Sequence, residues 1–131
     1  TGRAEDWSSH FMEHEVSALY PEVAHGAGLA VMVPAWMTYV AQRNPAKVAQ
    51  LARRVLDVTA DDDMTAAMEG IERLREFFTS LGLPSRLREF GVKEDDIPVM
   101  VKKLHENKGP KIGAYIPLEA NDTAEIYRIA L

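Results

Sequence analysis

Apolar and polar positions repeat with the 3.6-residue period of helices along nearly the whole chain. Trp7, Phe11, His14 and Ala18 share a stripe, which predicts a first helix capped by Asp6, running to about Leu19 and ended by Tyr20-Pro21. A second helix is predicted from about His25 to Val40. Leu29, Val31, Met32, Val33, Trp36 and Met37 cover nearly every side of it, so it is expected to be buried. Pro34 falls inside and is expected to kink or split it. Asn44-Pro45 reads as N-cap and first position of a third helix, with Val48, Leu51, Ala52 and Val55 on its apolar face. Asp61-Asp62-Asp63 places negative charge at the start of the next helix. Its stripe is Met64, Ala67, Met68, Ile71, Leu74, Phe78 and Leu81, closed by Gly82.

Leu83-Pro84-Ser85 begins a short turn or helix to Phe90, closed by Gly91, and Glu94 to Pro98 opens a helix to about Glu106. Gly109, Pro110, Gly113 and Pro117 make residues 107–117 a loop. Asp122-x-x-Glu125 has the form of a capping box before a last helix, Thr123 to Leu131. Strong strand signals are absent. The expected fold is all-α, a compact bundle of about six or seven helices.

Composition narrows the function classes. The chain has 131 residues, 47% apolar and 27% charged, which fits one globular domain. A net charge of −5 argues against a nucleic-acid binder with a basic footprint. The absence of cysteine excludes a disulfide scaffold, a Cys-ligated metal and a cysteine nucleophile. No apolar run reaches the ~18 residues of a membrane span, and Thr1 to Asp6 lacks the pattern of a signal peptide. The chain also lacks an initiator methionine, so a fragment or a processed product is expected.

The candidate chemistry is concentrated in the first two helices. Three of the four histidines lie between positions 10 and 25. His10 and His14 are one helical turn apart on one face. His25 stands at or before the next helix start, so a helical hairpin would bring it opposite His10. Neutral imidazoles from two helices suit a divalent cation such as Fe²⁺, Zn²⁺ or Ni²⁺. The same residues also fit surface or capping roles. His105, among Lys102, Lys103, Glu106 and Lys108, is expected on a solvated face. Gly26 and Gly28 do not form a dinucleotide fingerprint, because no strand precedes them and the third glycine is missing; close helix approach explains them better. Met32, Met37, Met64, Met68 and Met100 read as gap-filling core residues. Ser8, Ser9 and Ser17 lack the context of a nucleophile elbow.

The run Asp6-Trp7-Ser8-Ser9-His10-Phe11-Met12-Glu13-His14-Glu15-Val16-Ser17-Ala18-Leu19-Tyr20, with Ala24-His25-Gly26-Ala27-Gly28-Leu29-Ala30 and Pro34-Ala35-Trp36-Met37, resembles iron-containing (group III) alcohol dehydrogenases. The branch it resembles most is that of the NAD(P)H-dependent butanol dehydrogenases. Leu83 to Leu87, Gly91 to Pro98, Pro117-Leu118 and Asp122 to Leu131 resemble the later helices and C-terminus of that family. The resemblance implies a two-domain enzyme. An N-terminal α/β domain binds the nicotinamide cofactor, and a C-terminal helical domain holds Fe²⁺, Zn²⁺ or another divalent metal through one Asp and three His. It implies that His10 and His25 are the last two His ligands, and that His14 lies beside the nicotinamide and helps proton movement without ligating the metal. The metal polarises the alcohol oxygen while hydride passes to NAD(P)⁺. The family's first two ligands and its cofactor domain lie upstream of Thr1, and the loop between His14 and His25 is one residue longer than in most members.

The implied partners are a small alcohol or aldehyde and a second copy in a homodimer, with neither nucleic acid nor membrane, and the implied location is cytoplasmic. The isolated chain is expected to be inactive. Two other readings stand beside this one: a non-catalytic helical assembly or interaction domain, and a small metalloprotein completed by self-association through Asp6, His10 and His25.

Overall fold

The computed structural model describes residues 8–113 and 116–131, so the expected Asp6 cap and Trp7 lie outside the described residues. The described chain forms six helices: α1 (Ser8–Leu19), α2 (His25–Arg43), α3 (Pro45–Val55), α4 (Asp63–Ser80), α5 (Asp96–Lys108) and α6 (Ala120–Ala130). A single 3-10 turn, Leu87–Phe90, lies between α4 and α5. The only extended pairing among the described residues is one antiparallel bridge, Ile112 with Leu118, which closes the 107–117 loop on itself.

The central helix is α2, which packs on α1, α3, α4 and α6. Its apolar circumference is buried as expected, with Val31, Met32, Met37 and Val40 almost fully inside. The core continues through Met12, Val16, Ile71, Leu87, Ile97, Met100, Leu104, Ile126 and Tyr127. Pro34 does not split α2, which runs through it as one helix; Thr38 Oγ1 donates to the Pro34 carbonyl at 2.7 Å. Pro45 takes the first position of α3 as read, but Asn44 makes no side-chain cap bond. Asp62 caps α4, accepting the Thr65 N–H at 2.9 Å.

Three expected faces are corrected. In α1 the buried line is Ser8, Ser9, Met12, Glu13, Glu15 and Val16, whereas His14 and Ala18 are exposed. Two of its polar members have partners inside, Glu13 with Ser17 and His25 and Glu15 with Asn107, so polarity there does not mark the solvent side. In α3 and α4, Leu51, Val55, Met64, Met68 and Leu81 face outward. Of the expected faces Val48, Ala52, Ala67 and Ile71 are buried, and the two helices bury Ala49, Ala66 and Gly70 beside them. A Cβ at Gly70 would collide with that of Ala52, so a small-residue seam brings the backbones together and turns the larger side chains away. His105 is half-buried, not solvated: Nδ1 pairs with the Gly109 carbonyl at 2.9 Å and Nε2 with Thr123 Oγ1 at 3.0 Å, pinning the end of α5 to α6.

The last helix starts earlier than Asp122-x-x-Glu125 implied. Glu119 is its N-cap, and Asp122 at the third position accepts the Glu119 N–H at 2.8 Å. Asp122 also accepts from the Tyr39 hydroxyl and pairs with Arg43 at 3.0 Å, which joins α6 to α2.

Candidate metal centre

The site is built on the α1–α2 hairpin. One turn of α1 separates His10 from His14, and the next element, residues 20–24, returns the chain so that α2 begins at His25. The Tyr20 hydroxyl donates to Asp96 Oδ2 at 2.6 Å, and Asp96 Oδ2 also accepts the Lys93 N–H at 2.9 Å, so the return loop is tied to the start of α5. These bonds hold the Asp96 carboxyl below the ordinary carboxylate range, and the same hydrogen bond raises the Tyr20 phenol.

The three histidines the sequence singled out converge. The His25 ring centroid lies 5.2 Å from that of His10 and 5.2 Å from that of His14. His14 is exposed, His10 half-buried, and the His25 side chain 47% exposed, so the ring cluster opens to solvent.

Beneath the rings sits a residue that sequence reasoning missed. Glu13 is fully buried, yet it is an acidic side chain on the helix that carries His10 and His14. One carboxylate oxygen accepts the Ser17 hydroxyl at 2.6 Å; the other is hydrogen-bonded to His25 Nδ1. Gly28, one turn into α2, makes room for it: a Cβ there would lie 2.7 Å from Glu13 Cδ. The available signal was position: Glu13 neighbours Met12 and lies three residues before Val16, two of the most buried residues of α1.

Among the described residues, Glu13, His14 and His25 bring ligand-type atoms within 4.8 Å of one another. The donor set fits a borderline divalent cation, with imidazoles at the surface and a carboxylate behind. Glu13 has both oxygens engaged inside the protein.

The family model "Fe-containing alcohol dehydrogenase family, C-terminal" matches residues 1–131. The NADH-dependent butanol dehydrogenase A of Clostridium acetobutylicum is 39% identical over 129 residues, covering 97% of this chain and 33% of the relative. The NADPH-dependent aldehyde reductase YqhD of Escherichia coli is 30% identical, covering 98% of this chain and 33% of the relative. A structure of that reductase superposes with a TM-score of 0.89 over 99% of this chain and 34% of its own. The butanol dehydrogenase A of Thermotoga maritima gives a TM-score of 0.84 at 34% identity over 98% of this chain and 33% of its own. The chain thus spans about a third of the length of the relatives it matches. It belongs to the Fe-containing alcohol dehydrogenase family, and it corresponds to the C-terminal, helical part of that family's members.

Proposed function

We propose that this chain supplies the metal and substrate side of an NAD(P)H-dependent alcohol dehydrogenase or aldehyde reductase. The observation that carries the reading is the convergence of His10 and His25 from two helices into one cluster open to solvent, with His14 beside them. His10 and His25 would hold a divalent cation, Fe²⁺ or Zn²⁺, together with ligands from the part of the relatives that precedes the third matched by this chain. When bound, that ion supplies positive charge that polarises an alcohol or carbonyl oxygen. His14, exposed on the same face, lies beside the nicotinamide and takes up or releases a proton at its ring nitrogen; imidazole is suited to this near neutral pH. Because the cofactor is NAD(P)H, we place the complete enzyme in the cytoplasm, as a homodimer acting on a small alcohol or aldehyde.

The test joins this chain to the N-terminal two thirds of the C. acetobutylicum butanol dehydrogenase A. Loaded with Fe²⁺ or Zn²⁺, the chimera is expected to oxidise NADH with a short aldehyde, and His25→Ala to abolish that. A folded, metal-loaded chimera with no turnover would contradict the reading. That outcome would favour a non-catalytic assembly domain, a reading supported by the exposure of Val55, Phe77 and Leu81.

A further inference from the structure

Of the four histidines, only His25 has a ring nitrogen bonded to a fully buried carboxylate among the described residues. We propose that Glu13 is a positioning residue: it holds His25 as the Nδ1–H tautomer and so directs the Nε2 lone pair to the cation site. The inference rests on the reading of His25 as a metal ligand.

Three observations carry it. First, Ser17 Oγ donates to Glu13 Oε2, which leaves Oε1 as the acceptor for His25. An imidazole has one N–H when neutral, so an Nδ1–H given to Oε1 leaves Nε2 with its lone pair. Second, the carboxylate is placed from both sides. Ser17 one turn along α1 fixes one oxygen, and Gly28 of α2 vacates the volume the carboxyl fills. Third, the burial is asymmetric: Glu13 is 0% exposed while the His25 side chain is 47% exposed. The acidic group therefore stands on the protein side of the ring, as the outer partner of a ligating histidine does. A free neutral imidazole favours the Nε2–H form, so the tautomer proposed here is one the protein must impose.

The test uses the 131-residue chain labelled with ¹⁵N at histidine. At a pH above the ordinary histidine range, long-range ¹H–¹⁵N spectra are expected to show His25 as Nδ1–H before any metal is added. His25 as Nε2–H would overturn the proposal directly. Glu13→Gln retains an oxygen acceptor for Nδ1, with its amide donating to Ser17. It is expected to keep the tautomer and to bind Zn²⁺ within a few-fold of the parent. Glu13→Leu is expected to return His25 to the Nε2–H form and to weaken Zn²⁺ binding by about 10–100-fold. If Glu13→Gln loses Zn²⁺ as completely as His25→Ala, Glu13 is itself a ligand and the proposal fails. If Zn²⁺ moves neither the His10 nor the His25 ring resonances, the ligand reading fails instead, and the tautomer result separates the two.

Discussion

The Tyr127 hydroxyl donates to the Met12 carbonyl at 2.7 Å, fastening the last helix to the middle of the helix that carries His10, Glu13 and His14. Tyr127 is completely buried, and burial, followed by the nearby Glu15 and Glu13 carboxyls, pushes its phenol well above the ordinary tyrosine value.

Tyr127→Phe keeps the ring and removes the hydrogen bond, so thermal unfolding is expected to show a loss of about 1 kcal/mol. The sign of the pH dependence follows from the raised value. Stability from the neutral phenol is complete below the unfolded tyrosine pKa of about 10 and is lost as pH rises above it. Tyr39, pushed up to about 12 first by burial and then by its bond to Asp122, adds to the same alkaline loss. The parent is therefore expected to destabilise steeply above pH ~10 and Tyr127→Phe less steeply; equal slopes would contradict this.

Asp122 contributes to stability on the acid side, as do Asp96, Asp62 and Glu89, whose carboxyls are also held low. Burial raises the Asp122 carboxyl, but the Tyr39 hydroxyl, the Glu119 N–H and Arg43 together outweigh that and hold it low. A lowered value means stability present above the ordinary carboxylate pKa of about 3.9 and lost as pH falls through it. Asp122→Asn is expected to cost about 1–2 kcal/mol at neutral pH, by chemical denaturation, and to flatten the acid limb of the stability curve. An unchanged acid limb would contradict a contribution from Asp122.

Gly28→Ala tests the cradle without altering an acceptor. The added methyl must displace the Glu13 carboxyl, because the three heavy atoms nearest to it, Oε2, Cδ and Cγ of Glu13, would all lie closer than 3.0 Å. The expected result is a folded protein in which His25 loses its fixed tautomer and Zn²⁺ affinity falls, read by the same ¹⁵N spectra and titration. Retention of both would mean the carboxyl is held by Ser17 alone.

Much of the fold was legible because its strongest signals are local. The all-round apolar α2, the Asn44-Pro45 start and the glycine at the end of α4 each depend on a few neighbouring residues. What failed depended on partners distant in sequence. Leu51 and Met68 look like core residues until Ala52 and Gly70 bring α3 and α4 too close to admit them. His105 looks solvated until Thr123 of α6 reaches its Nε2. The site shows the same division. His10, His14 and His25 stand out by spacing, whereas Glu13 reads as one more surface acid until α2 supplies His25 Nδ1 and the space over Gly28.

The most direct test of the central claim is the metal content of three single variants of the chimera. His10→Ala and His25→Ala are expected to lose bound Fe²⁺ or Zn²⁺, while His14→Ala keeps it and loses turnover. Equal metal loss in all three, or full metal retention when His10 and His25 are removed, would contradict the division of roles proposed for the three histidines.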